Sequence, residues 1–336
     1  MISGPMATIS HPAFRILIEK FGACDEYFTE MINAGTLLTG GQFEKYYIDP
    51  SPVPEKVVWQ LTGHDAEHMD KAAQILCSLP GLGLDINMGC SAPDIYRYGA
   101  GIAWMLKPRE ETEEMVKRVG RVVEEWNKTA ASELKKRFSV KLRLGDDNFT
   151  DDGFFSFCDM LVANGVELLT LHPRTKKEKL TRPARYFYCQ KLCQRYPELP
   201  VYLNGNVKDQ ASLKNALTAA PDVKGVMISR ACVQKPWIFR ELRSAMESGQ
   251  AVEEALSVNM KQLALDYIAD IEKYQPPEFW KTRLQRFFTY FCDNFKFAHY
   301  AQTQFLNAKD NDDLRVRIEE FFNKCPEEEE KNFCKL

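Results

Sequence analysis

The sequence predicts a (β/α)8 TIM barrel followed by a small all-helical C-terminal domain, and three observations carry that reading. Short β-branched or apolar runs alternate with longer helix-like segments, the pattern of a parallel βα protein. Six clear strand candidates and two weaker ones make eight, the number that closes such a barrel. Beyond about Gln250 the alternation stops and helical periodicity, rich in aromatics, takes over. The 336 residues are 45% hydrophobic and 27% charged, enough apolar matter for a real core and too much for a disordered chain.

Taken in order, the weaker strands lie near Ile2–Met6 and Tyr27–Glu30. The clear ones are Val57–Leu61, Leu84–Met88, Ser139–Leu144, Glu167–His172, Val201–Asn204 and Gly225–Ser229. Between them Asp65–Leu79, Glu110–Arg137, Gly153–Asn164, Lys208–Ala219 and Pro236–Ser248 read as helices. Asn206 and Val207 are the expected cap and lead-in of Lys208–Ala219. The domain reading is a barrel over 1–245, a helical domain over 250–325 interrupted only by Pro276–Pro277, and a polar tail over 326–336. The tail's Glu327–Glu330 run reads as a solvated end.

No apolar run approaches the roughly 18 residues that span a bilayer. Met1 to Phe14 contains no Lys or Arg, so the basic start of a secretory signal is missing and a cytoplasmic location is expected. Ten scattered cysteines without a Cys-x-x-Cys pair fit reduced thiols in that compartment, and no metal is expected. His64 and His68 have ligand-like spacing but no companions nearby. The net charge of −3 excludes a uniformly basic nucleic-acid coat and leaves room for a local basic patch.

Barrel enzymes place their chemistry at the C-terminal ends of the strands. Here those ends are Pro5-Met6-Ala7, Glu30-Met31, Gln60, Asn87-Met88-Gly89-Cys90, Lys141-Leu142-Arg143, His172-Pro173-Arg174, Asn204-Gly205-Asn206 and Ser229-Arg230. The last two follow strands seven and eight, where barrels commonly hold a phosphate on backbone N–H groups. Arg230 adds a charge-assisted contact, or is a surface arginine beside a plain turn. Strand alternation sends Lys141 and Arg143 to one face. If that face is the interior, Lys141 needs an anionic partner, for which a flavin ring, a substrate carbonyl or a structural carboxylate would each serve. Gln60 can donate and accept toward a planar heterocycle, or simply be a satisfied core glutamine. Cys90 is the one cysteine at a strand end among glycines and polar residues, which makes it the candidate acid or nucleophile. His172 stands beside Arg174 at the end of strand six.

From Pro173 to Tyr186 there are six basic residues, Arg174, Lys176, Lys177, Lys179, Arg182 and Arg185, against Glu178 alone. Such a run is usually a solvated loop, and its place at the mouth of a barrel makes a polyanionic substrate a fair alternative. The helical region adds Lys281, Arg283 and Arg286 among Trp280, Phe287, Phe288 and Tyr290.

Together Pro5-Met6-Ala7, Gln60, Asp85-Ile-Asn87-Met-Gly-Cys90, Gly99-Ala-Gly101, Val140-Lys-Leu-Arg-Leu-Gly145, Leu171-His-Pro-Arg-Thr175, Asn204-Gly-Asn206, Ile228-Ser-Arg-Ala231 and Pro236-Trp-Ile-Phe239 resemble the tRNA-dihydrouridine synthases. The resemblance spans the whole barrel in order. It implies FMN at the barrel mouth, NADPH as reductant, and reduction of uridines in the D-loop region of tRNA, with no membrane and no obligate protein partner. Carried over, Pro5, Met6 and Ala7 line the flavin, Gln60 and Lys141 contact its ring, and His172 contacts flavin or substrate. Asn204, Gly205, Asn206, Ser229 and Arg230 hold the phosphate. Cys90 is the general acid and Asn87 a uracil contact, while Arg174, Lys176 and Lys177 meet the RNA. Hydride goes to C6 of uracil and a proton from the thiol, protonated at neutral pH, to C5. The sequence departs from the family's Gly-Cys-Pro pattern with Gly89-Cys90-Ser91-Ala92-Pro93, and its first basic residue thereafter is Arg97.

Two other readings stay open at this point. A flavin barrel acting on a small molecule, in the manner of dihydroorotate dehydrogenases or ene reductases, would need neither the basic cluster nor the helical appendix. A non-catalytic RNA-binding barrel would not need Cys90, Lys141 and His172 at strand ends.

Overall fold

The computed structural model describes residues 1–146, 148–179, 181–248 and 256–333. Eight parallel strands close into a barrel: β1 (Ile2–Ser3), β2 (Glu26–Phe28), β3 (Val57–Thr62), β4 (Gly83–Met88), β5 (Arg137–Arg143), β6 (Leu168–His172), β7 (Val201–Asn204) and β8 (Gly225–Ile228). Each pairs with its sequence neighbours, and β8 returns to β1 with Ile2 opposite Met227 and Ser3 opposite Ile228. β3, β4, β6 and β7 are buried at every position, because helices cover one face and the barrel interior the other. That double burial is why they read as apolar runs rather than as an alternation.

The longer barrel helices are α1 (Pro12–Glu19), α2 (Ala66–Ser78), α3 (Arg109–Thr129), α4 (Asp151–Ala163), α5 (Phe187–Arg195), α6 (Gln210–Ala219) and α7 (Ile238–Ser248). Their starts follow capping chemistry: Asp65 accepts from the His68 N–H at 2.9 Å, and Thr150 from the Gly153 N–H at 3.1 Å. Two expectations fail here. Asp209, not Asn206, caps α6, through a reciprocal box with Ser212. Asn206 has φ +58 and belongs to the turn above β7. The helix expected to run to Arg137 ends at Thr129, because Asn127 accepts the Lys136 N–H at 2.7 Å and turns the chain into β5.

The barrel has an apolar floor of Ile2, Phe28, Val58, Leu168, Tyr202 and Met227. Beneath it Arg137 grips Glu26 with two hydrogen bonds of 2.9 and 2.6 Å, and the Tyr202 hydroxyl donates to the same carboxylate at 2.6 Å. The floor closes the lower end, so only the C-terminal ends of the strands are left to form a site.

The C-terminal helices are α8 (Met260–Tyr274), α9 (Pro277–Phe291), α10 (Ala298–Leu306) and α11 (Asn311–Lys324). Pro277 opens α9, where its missing N–H costs nothing. The expected boundary at residue 250 falls within 249–255, outside the described residues. The polar tail departs from a solvated end as far as it is described. Glu330–Phe333 pairs antiparallel with Leu256–Asn259, clasping the two ends of the helical bundle. Glu328 is 3% exposed and accepts the Lys296 N–H at 3.0 Å. Backbone pairing and that buried acceptor outweigh the solvation of the glutamate run.

α8 packs on α1, and α9 reaches the barrel through Arg283, whose Nη1 donates to Glu30 at 2.7 Å with both side chains buried. Arg283 is therefore an interior ion-pair partner rather than a surface cation. Removing one member of such a pair costs about 3–5 kcal/mol. Phe287 and Phe288 are core residues of the bundle, leaving Lys281 and Arg286 exposed.

Candidate active site

The register of the upper strands sets the site. Gln60 lies opposite Asp85, Asn87 opposite Lys141, and Arg143 opposite His172. Above them opens a cavity of about 590 Å³, lined by Pro5, Lys141, Arg143, His172 and Arg174, the Asn204–Lys208 turn and the Ser229–Ala231 turn. Met227 and Gln234 complete the barrel wall, and α9 with the turn after it contributes Tyr290 and Asp293. Lys141, Arg143, Arg174, Lys208 and Arg230 thus face one carboxylate, Asp293.

Burial first, and the neighbouring cations second, shift Lys141 and His172. Lys141 is pulled down to about 8, by burial first and by Arg143 second. Burial and four surrounding cations drive the His172 imidazole down to about 2, so it is neutral. Arg174 Nη1 lies 2.8 Å from His172 Nε2, and a guanidinium only donates. Nε2 is therefore the acceptor and Nδ1 carries the proton. Arg174 also donates from Nε to the Arg182 carbonyl at 2.5 Å, while its Nη2 is buried without a partner. Asp85, fully buried, is raised to about 6 although Gln60 and Ser139 donate to it at 2.8 and 2.7 Å. An orphaned guanidinium nitrogen and a cluster of like charges are what a bound polyanion would satisfy.

The Asn204–Asn206 turn is built for close approach. Asn204 Nδ2 anchors it to the Met227 carbonyl at 2.9 Å, and the Tyr186 hydroxyl donates to the Gly205 carbonyl at 2.7 Å. Gly205 has φ +124, and a Cβ there would lie 3.0 Å from the His172 ring. Only glycine fits.

The catalytic candidate stands on the loop after β4. Asn87 Oδ1 accepts the backbone N–H groups of Gly89 and Cys90 at 3.1 and 2.9 Å, and its Nδ2 donates to Gln60 Oε1 at 2.8 Å. The Ile102 N–H donates to the Cys90 carbonyl at 3.0 Å, and Gly101, with φ +62, sits where a Cβ would come within 2.5 Å of that oxygen. Arg143 Nε donates to the Gly89 carbonyl at 3.0 Å, linking this loop to the cavity wall. Of the nine described cysteines, all free, only Cys90 and Cys193 are not buried.

The structure thus brings Pro5, Lys141, His172, Arg174, Asn204, Gly205, Asn206, Ser229 and Arg230 around one cavity. Met6 and Ala7 continue the Pro5 turn beside it. Gln60 and Asn87 lie below, in a network with Asp85 that orients the Cys90 loop, so Asn87 has a task besides any contact with a base. Arg174 is wholly buried and cannot belong to an exposed RNA-binding set. Lys176 lies 3.3 Å from Asp146 with its ammonium 3.4 Å above the Tyr96 ring, and Lys177 is exposed. Arg185 is paired with Glu178 at 2.9 Å. Sequence reasoning missed Lys208, Gln234 and Asp293; Arg143 had a signal, its shared strand face with Lys141. His64 and His68 share the Asp65 carboxylate at the barrel rim.

A closed parallel barrel with a polycationic cavity at the C-terminal ends of its strands has the architecture of a barrel enzyme. The family model "Dihydrouridine synthase (Dus)" matches residues 1–323, and the chain belongs to that family. It is an oxidoreductase of the dihydrouridine synthase type. Relatives include tRNA-dihydrouridine synthase B of Pseudomonas syringae pv. tomato, 26% identical over 82% of this chain and 77% of that protein. The probable tRNA-dihydrouridine synthase of Aquifex aeolicus is 27% identical over 79% of each. Synthase B of Pseudomonas aeruginosa is 24% identical over 96% of this chain and 92% of its own length. Membership sets aside both the small-molecule reductase and the non-catalytic binding protein.

Proposed function

We propose that this chain is a tRNA-dihydrouridine synthase that binds FMN in the five-cation cavity, takes electrons from NADPH, and reduces uridines in the D-loop region of tRNA in the cytoplasm. The cavity is the observation that carries the reading. Its orphaned Arg174 Nη2 and its single facing carboxylate fit a phosphorylated, anionic cofactor. Asn204, Gly205, Asn206, Ser229 and Arg230 hold the phosphate. Pro5, Met6 and Ala7 line the ring, Lys141 supplies a cation to it, Gln60 a planar amide, and His172 a neutral N–H. When bound and reduced, the flavin supplies hydride to C6 of the uracil. Cys90 then gives a proton to C5, and Asn87 holds the loop that presents the thiol. Lys177, Lys179 and Arg182, exposed in the loop after β6, stand toward the RNA backbone, whereas Lys176 is held by Asp146 and the Tyr96 ring.

Two measurements test this. The purified protein should show a flavin absorption band, and the released flavin should be FMN. Incubated with NADPH and tRNA lacking dihydrouridine, it should form dihydrouridine; a colourless protein that neither binds FMN nor alters tRNA would overturn the reading.

A further inference from the structure

The Pro5–Ala7 turn is held from outside by a carboxylate that belongs to neither the cavity nor the catalytic loop. Glu30, just beyond β2 and 5% exposed, accepts the Thr8 backbone N–H on one oxygen. Its other oxygen accepts from Arg283 Nη1 at 2.7 Å, on α9 of the helical domain. Within the turn, Ser10 Oγ accepts the Met6 N–H at 2.9 Å and donates to the Gly4 carbonyl at 3.1 Å. Thr8 has φ +65, a left-handed conformation that a β-branched residue adopts only when its surroundings impose it. The Thr8–Glu30 hydrogen bond is the side-chain contact that holds it, beside the Ile9 and Ser10 N–H groups that donate to the Met6 carbonyl. Glu30 is fixed in turn by Arg283, itself 1% exposed, with its guanidinium 4.9 Å from the Phe279 ring. A buried carboxylate stripped of its cation protonates, and then accepts the Thr8 N–H more weakly, or swings away and loses it.

We infer that Arg283 is a positioning residue for the cofactor: through Glu30 and Thr8, the helical domain sets the turn that lines the flavin. The inference rests on the flavin reading above, and it makes the helical domain a part of the cofactor site as well as a candidate RNA-binding unit.

The test measures FMN affinity of the full-length apoprotein by fluorescence quenching, alongside its unfolding temperature. The variants are Arg283→Lys, which keeps the charge, Arg283→Met, which removes it, and Glu30→Gln, which removes the charge that holds Arg283 and leaves Thr8 only a weaker, neutral acceptor. Ile318→Val on α11 is the control, a buried change in the same domain away from Glu30. Arg283→Met and Glu30→Gln should weaken FMN binding by about tenfold, the low end for an outer-shell partner, with Arg283→Lys restoring part of it. Ile318→Val should lower the unfolding temperature and leave FMN affinity unchanged. If Arg283→Met does not fold, Arg283→Lys and Glu30→Gln carry the comparison. Wild-type affinity in those variants would overturn the inference and make the pair a stability element alone. An equal loss in Ile318→Val would also overturn it, since any loosening would then suffice. A wild-type protein that binds no FMN would instead refute the flavin reading.

Discussion

Cys90 sits on a backbone fixed by Asn87 from below and by Ile102 from the side, so its thiol can be removed without moving the loop. In the proposed reaction, flavin reduction precedes protonation of the base. Cys90→Ala should therefore bleach normally under NADPH and lose dihydrouridine formation by about 10²–10⁴-fold, the usual worth of a positioned acid. A variant with near wild-type product yield would sink the general-acid role. Lys141 gives a pH test. In the free protein it loses its proton as pH rises through about 8. An anion bound beside it favours the charged form, so binding above that pH must take up a proton, and affinity falls. FMN affinity should thus decline from about pH 7 to about pH 9, and Lys141→Met should bind more weakly at neutral pH with that decline reduced. An identical slope in wild type and variant would place the ring contact elsewhere.

Among the elements, the two glycine turns separate cofactor from chemistry. Gly205→Ala would push into the His172 ring and strain a φ of +124, at about 1–3 kcal/mol. Flavin occupancy should fall. Gly101→Ala would collide with the Cys90 carbonyl instead, so flavin content should survive while turnover is lost. Similar flavin losses in both would show that the two loops are not independent. The strands were legible because burial on both faces makes them predominantly apolar, as in Val57–Thr62 and Leu168–His172, broken only by Gln60, Thr62, Thr170 and the terminal His172. The paired faces were legible where alternation is clean, as for Lys141 and Arg143. Illegible were partnerships made through space. Nothing local distinguishes Arg283, buried against Glu30, from Lys281 and Arg286, which face solvent. Arg174 likewise looked like one more cation of a basic loop, and only the fold turns it inward to His172. The pairing of Glu330–Phe333 was illegible because its partner strand lies four helices earlier in the chain.

Across the whole molecule, a net charge of −3 means that RNA must be held by localised cations. The structure narrows the set. Arg174 and Arg283 are buried and Lys176 and Arg185 are paired, whereas Lys179 and Arg182 on the barrel, and Lys281 and Arg286 on α9, are exposed. If all four meet phosphates, neutralising them together should reduce the salt slope of tRNA binding by about three, at roughly 0.7–0.9 per contact. Flavin content and NADPH oxidation should not change. An unaltered slope would move the RNA to another face.

The clasp between Leu256–Asn259 and Glu330–Phe333 also orders events in time. One of its strands leaves the ribosome before α8 and the other only after α11. At roughly 5–20 residues per second, the first waits on the order of seconds for the second. In the barrel β1 waits longer still for β8, but both are synthesised before α8. Chains released just short of Glu330 should therefore carry a protease-resistant barrel with a cleavable helical appendage, and the full-length chain should resist cleavage there.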